Sequence, residues 1–218
     1  MGRVQEHERV ERHFSVDWTA AATESYNIAP QSIQPVVIQD GEIRQIRMMR
    51  WGLVPSWARR PNIGFSTINA RAEDITTRPV FRDSVVSRRC LVPVDFFYEW
   101  QRRGKAKQPF AIGMKNREMF ALAGVWDMWK HGDATLESFA IITCPPNELM
   151  AEIHDRMPVI IRPDNYRRWL TAFPPPTDLL KPFPSELLEA WPVNSKVGNV
   201  RADDASLIER EEPLSLFG

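Results

Sequence analysis

Cys90-Leu91-Val92-Pro93-Val94-Asp95-Phe96-Phe97-Tyr98-Glu99-Trp100 is the stretch on which the fold turns. Its first five residues form an unbroken apolar run of strand length, and after Asp95 an aromatic run follows with one carboxylate inside it. Successive side chains on a strand point to opposite faces, so Glu99 faces away from Tyr98 and Trp100. A carboxyl among aromatics has its pKa raised by lost hydration, which suits proton transfer near neutral pH. Taken singly, such a glutamate also reads as an edge-strand charge facing water.

Short runs of the same kind recur at Pro35–Gln39, Ile43–Trp51, Pro109–Met114, Met119–Trp126 and Phe139–Thr143. Helical patterns are fewer: Glu6–Phe14, Asn147–Ile153 behind two prolines, and Asp164–Ala172 behind Pro163, with weaker ones at Ser185–Ala190 and Asp203–Glu211. Strands with helices between them predict an α+β fold built on a bent, mostly antiparallel sheet or an open β-barrel, with peripheral helices and a basic groove. The whole chain, 1–218, is expected to be one domain, with the proline-rich residues 173–184 as a surface insertion.

With 43% hydrophobic residues and no apolar stretch of membrane-spanning length, the composition is that of a soluble cytoplasmic protein. Cys90 and Cys144 sit in apolar runs as small hydrophobes, and the four scattered histidines give no metal-ligand spacing, so neither a metal nor another cofactor is expected. The net charge of zero hides an uneven distribution. Residues 44–107 hold 14 Lys and Arg against 5 Asp and Glu, whereas residues 1–43 hold 3 against 7 and residues 108–218 hold 11 against 16. Positive charge gathered near a candidate site favours an anionic partner such as nucleic acid, although a solvated Arg-rich strand face fits the charge equally well.

Five words place polar groups inside apolar stretches: Tyr26–Pro30, Trp51–Pro55, Asn69–Glu73, Phe97–Trp100 and Ile153–Pro158. Burying such groups unpartnered costs roughly 1–3 kcal/mol apiece, so five of them together point to a built site. His154, whose side chain titrates nearest neutrality, follows a helix end and is joined by Asp155 and Arg156. If residues 68–73 are extended, Asn69, Arg71 and Glu73 share a face, with Arg71 and Glu73 free to neutralise each other. Trp51, Trp57 and Trp100 interleave with Arg50, Arg59, Arg60, Arg102 and Arg103, a pattern that suits either ordinary core or a cation-rimmed stacking platform for single-stranded nucleic acid.

The ordered set of words, with Met1-Gly2-Arg3, Arg89–Pro93, Gln108–Phe110, Gly124–Trp126 and Val193–Val200, resembles the SRAP family over nearly the full length. These are the SOS-response-associated peptidases, or abasic-site processing proteins. The resemblance implies binding of single-stranded DNA at abasic sites and a covalent adduct with the open-chain sugar aldehyde, by a monomer associated with the nucleoid. In the family an N-terminal cysteine supplies an α-amine for a Schiff base and a thiol that closes a thiazolidine. Carried over by motif, His154 assists ring opening, Glu99 handles protons at amine and aldehyde, and Asn69 holds the N-terminus. Arg3, Arg71, Arg78 and Arg156 contact phosphates, and Asn27, Pro30 and Trp57 line the nucleotide path.

The family pattern begins Met-Cys-Gly-Arg, and this chain begins Met1-Gly2-Arg3. An altered head, a modified cysteine missing from the written sequence, or a natural variant each accounts for the gap. Read literally, loss of Met1 leaves the amine of Gly2, which can form an imine and nick abasic DNA by β-elimination but cannot close a thiazolidine. Two other readings belong to different classes: a DNA-binding module without covalent chemistry, and a peptidase that removes only its own Met1.

Overall fold

Two hairpins supply most of the central sheet. β1 (Ile33–Asp40) returns as β2 (Ile43–Trp51) through a tight turn at Gly41, and β7 (Phe120–His131) returns as β8 (Ala134–Cys144) at Gly132. Both glycines have positive φ, 57° and 56°, the backbone twist that a two-residue hairpin needs. β4 (Arg89–Val94) lies between β1 and β7, and the end of β2 runs parallel to β8 at Arg50 and Trp51. Because β7 also pairs with β8, the order β7-β4-β1-β2-β8 closes on itself as a mixed five-stranded barrel. The computed structural model describes residues 1–4, 7–18, 23–104 and 106–212, with Arg103 described by its backbone alone.

The α+β expectation holds, and the reason is visible in the burial. All six residues of β4 are buried, and Met49, Leu91, Leu122, Phe139 and Ile142 are among the largest fully buried side chains. Each such residue removed from water contributes about 1.5–3 kcal/mol. Short strands extend the sheet: β3 (Asn69–Arg71) runs parallel to β8, β9 (Met157–Pro158) pairs with the end of β8, and β10 (Ile160–Ile161) pairs with β7. A separate sheet has the order β11 (Leu188–Pro192), β6 (Ala106–Met114), β5 (Phe96–Arg103), with Phe96, Tyr98, Ala111, Trp191 and Val193 in its own core. β5 is an outer strand, and its position decides the site.

The helices are short: α1 (His7–Phe14), α2 (Arg82–Ser87), α3 (Glu148–Ala151) and α4 (Tyr166–Thr171). Glu6, placed in the first helix from sequence, lies outside the described residues. Asn147 caps α3 by accepting from Met150 N at 2.9 Å. The Ser185–Ala190 helix expectation is overturned. Only Ser185–Leu187 makes a 3-10 turn before the chain enters β11, where Leu188 and Trp191 gain more by packing under β6 than a helix would offer. Asp203–Glu211 is likewise a single turn, Ala205–Ile208. Within 173–184, Phe173 is 82% exposed while Phe183 anchors the far end in the core.

The Trp51–Pro55 word is spent on folding. Gly52 has φ 135°, and a Cβ there would run into the Gly64 carbonyl. Trp51 Nε1 donates to Ile68 O at 2.9 Å and Val54 N to the Ser138 hydroxyl at 2.8 Å. Arg89 is also inward, 4% exposed, donating to Val85 O (2.7 Å), Val86 O (2.6 Å), Ala172 O (2.7 Å) and Trp169 O. These carbonyls belong to the closing turns of α2 and α4, where helix dipoles favour a cation. Replacing Arg89 by Met should therefore strand several buried carbonyls and lower the unfolding free energy in urea by about 3 kcal/mol or more. A change under about 0.5 kcal/mol would mean that the guanidinium is not holding these helix ends.

Candidate active site at the head of the chain

The first three residues are woven into the fold by their backbone. Gly2 N donates to Phe96 O at 3.0 Å and Asp95 N to Gly2 O at 2.9 Å, so Gly2 extends the free edge of β5. On the other side, Arg3 and Ser25 exchange hydrogen bonds of 2.8 and 2.9 Å, and Ile28 N donates to Met1 O at 2.7 Å. The Tyr26–Pro30 word is thus a strap laid over the chain head. Tyr98, on β5, fastens it by donating its hydroxyl to Tyr26 O at 2.8 Å. A Cβ on Gly2 would run into the Phe96 ring, so only glycine fits position 2 at this closeness.

The assignment of the reactive amine to Gly2 supposed that Met1 is removed; the structure describes the chain with Met1 in place. In the folded chain the Gly2 nitrogen is a backbone donor to β5, and the amine that reaches the site is that of Met1. Aligning Gly2-Arg3 with the Gly-Arg of the family pattern puts Met1 where the cysteine stands, a signal the sequence already carried. The Met1 amine is buried, and its one hydrogen bond among the described residues goes to Ile28 O at 3.4 Å. Burial lowers its pKa from 8.0 to about 5, against the opposing pull of the nearby Glu99 and Asp203 charges. An amine in this position is neutral, and so nucleophilic, at physiological pH.

Glu99 lies on β5 beside that amine. Burial pushes its carboxyl above the usual carboxylate range, with His154 and the amine pulling the other way. His154 sits just past α3 with Nε2 3.9 Å from Glu99 Oε2. Its Nδ1 lies 3.0 Å from Arg156 N and 3.2 Å from Arg156 O, and Nε2 is the nitrogen facing Glu99. Asp155 lies on the other side, 3.3 Å from Nδ1 and 90% exposed. Amine, carboxyl and imidazole therefore stand in sequence across the site.

The third word assembles differently from its expectation. Asn69 and Arg71 do share the exposed face of β3, with Ala70 buried between them. Glu73, however, pairs with Arg156 through both guanidinium nitrogens rather than with Arg71. Arg156 also donates to Thr143 O at 2.7 Å, so it is braced between Glu73 and β8 instead of standing free for phosphate. Among the described residues the Asn69 amide makes no hydrogen bond to the chain head, whose amine turns to Ile28 instead.

Other candidates divide by burial. Arg3 is 1% exposed, stacked over Trp18 and donating to Thr23 O at 2.7 Å, so in this conformation it presents no face to a phosphate. Asn27 spends its amide hydrogens on Val197 O, Asn199 O and Ala202 O at 3.1, 3.1 and 2.9 Å, which makes it a staple of the strap. Pro30, Trp57, Arg71 and Arg78 are exposed, Trp57 to 56%. The basic stretch is partly consumed inside: Arg89 is buried, Arg47 pairs with Glu137 and Arg88 with Asp127. Arg59, Arg60, Arg71, Arg78 and Arg102 keep their charge at the surface; Arg103's side chain falls outside the described residues.

Asp203 was not singled out by sequence, because it belongs to no aromatic or apolar word; it accepts from Tyr26 N and Asn27 N on the strap. Cys90 and Cys144 are buried, and burial raises both thiols, Cys144 to about 11, as small core hydrophobes require. Among the described residues no group of histidine, cysteine and carboxylate side chains could hold a metal ion, and no helix is long and apolar enough to cross a membrane.

The family model described as SOS response associated peptidase (SRAP) matches residues 2–200. The chain is 42% identical over 196 residues to abasic site processing protein YoaM of Bacillus subtilis, across 87% of this chain and 86% of that one. It is 34% identical over 211 residues to abasic site processing protein HMCES of Xenopus tropicalis, across 81% of this chain and 63% of that one. A solved Bacteroides thetaiotaomicron protein superposes with a TM-score of 0.77 at 29% identity, across 84% of this chain and 82% of that one.

Because position 2 touches the Phe96 ring, Gly2→Ala should lower thermal stability by about 2 kcal/mol or more, and trimming the ring as well, in Gly2→Ala/Phe96→Ala, should cost less than the two single changes added together. Strictly additive losses in thermal melts would show that the two residues do not meet.

Proposed function

The chain belongs to the SRAP family, and from that premise we propose that it captures abasic sites in single-stranded DNA through the α-amine of Met1, by a reversible imine. The observation that carries this reading is one desolvated amine placed beside a carboxyl whose pKa is raised and which a histidine faces in turn. The neutral amine attacks C1′ of the ring-opened sugar and gives a carbinolamine. Protonated Glu99 supplies the proton that lets water leave, and the product is an iminium. His154, across from Glu99, serves ring opening by moving the proton between the sugar O4′ and the site. The Met1 side chain, itself 8% exposed, must swing aside for the sugar to enter.

Met1 determines the fate of the adduct. A cysteine thiol closes on the imine carbon, losing its proton and leaving a neutral ring. A thioether has no proton to lose, so closure would create a sulfonium, and the imine stays open. The iminium then acidifies the C2′ hydrogens; removal of one by the Glu99 carboxylate expels the 3′ phosphate, and water returns the amine. Trp57, Arg59, Arg60, Arg71 and Arg78, all at the surface, suit a strand held by stacking and phosphate contact. Self-removal of Met1 is the weaker reading, since it would withdraw the amine from the site.

Borohydride trapping on a labelled abasic oligonucleotide, read on a denaturing gel, tests the proposal. The wild-type chain should give a trapped adduct and, without borohydride, a nicked strand. Glu99→Gln should lower the trapping rate about 100-fold while leaving DNA affinity unchanged. The rate should rise with pH through an acid limb near 5, where the amine loses its proton. Equal binding of intact and abasic strands with no trapped species would overturn the covalent reading and leave a non-covalent single-strand binder.

A further inference from the structure

Asp203 stands in the segment after β11, behind the strap that covers the chain head. Its Oδ1 accepts from Tyr26 N at 2.5 Å and Asn27 N at 3.0 Å, and its Oδ2 from the Ser25 hydroxyl at 2.9 Å. Three consecutive strap residues are thus gathered on one carboxylate. The strap in turn holds Met1 from both sides, with Ile28 N on Met1 O and Ile28 O on the amine. We propose that Asp203 is a positioning residue of the adduct-forming reaction, clamping the Ser25–Asn27 strap and setting the electrostatic environment of the Met1 amine behind it. This rests on the amine being the nucleophile, as proposed above.

Two features separate such a role from mere support. The strap is already fastened elsewhere, by Tyr98 to Tyr26 O and by the Asn27 staple, so the carboxylate is not needed simply to keep it on the molecule. The charge also acts on the reacting group itself: Asp203 and Glu99 both favour the protonated amine, working against burial. The groups around this charge are few. Tyr98 faces it from β5 and the amine from the chain head, with Glu99 acting on that same amine, and Arg3 and Glu24 line the same cleft. Removing the charge while keeping the acceptor therefore leaves the amine less basic and the strap in place.

Asp203→Asn makes that separation, because Oδ1 still accepts from Tyr26 N and Asn27 N while the new amide donates to the Ser25 oxygen. Its acid limb of borohydride trapping should move to lower pH. The Met1 Cα chemical shift, followed in protein labelled with 13C-methionine and without DNA, should titrate lower by the same amount. Asp203→Ala, which also removes the acceptor of the Ser25–Asn27 contacts, should trap about tenfold more slowly at pH 7. An unmoved acid limb and an unmoved Met1 titration in Asp203→Asn, with normal wild-type trapping, would overturn the assignment of Asp203. A wild-type chain that traps no abasic DNA would instead overturn the reading on which it rests.

Discussion

The structure depends on the backbone pairing of three residues at its head. Met1, Gly2 and Arg3 lie between the free edge of β5 and the strap at 25–28, hydrogen-bonded to both. The pairing reaches the outer edge of β5 at its first residue, Phe96. The position has a further effect, since it fixes the first nitrogen at the end of the extension, next to the carboxylate that alternates outward from Tyr98 and Trp100. The two sheets matter to the chemistry mainly because one presents β5 and the other carries β8, against which Arg156 and the loop holding His154 are braced.

The same constraint sets the electrostatics. A peptide head that is paired on both sides and covered by a strap loses its water, and a desolvated amine gives up its proton easily. Desolvation raises the neighbouring carboxyl for the same reason. One environment therefore disfavours the charged forms of the amine and the carboxyl side by side, each group opposing the other's shift through its charge.

Much of this was legible in the residues. The runs at Ile33–Asp40, Ile43–Trp51 and Arg89–Val94 are strands because apolar and β-branched side chains fill a barrel interior, and the pattern shows that directly. Glu99 and His154 were legible as polar groups in improbable company. What escaped was set by tertiary pairing. Ser185–Ala190 has helix-like composition, but Trp191 and Leu188 draw it into a sheet. Arg71 and Glu73 look like partners two residues apart, but Arg156 arrives from 83 positions away with a bidentate geometry that Arg71 does not match. Arg3 reads as a phosphate ligand and is buried; Gly2, with Met1 in place, lies against the Phe96 ring with no room for a side chain. Asp203 carries no local signal, because its three donors come from a segment about 177 residues earlier.

The most direct test is the identity of the atom that carries the sugar. After borohydride reduction on abasic single-stranded DNA and nuclease digestion, tandem mass spectrometry of the head peptide should place the deoxyribose remnant on the α-nitrogen of Met1. A remnant on the nitrogen of Gly2, or on a lysine side chain elsewhere in the chain, would contradict the account.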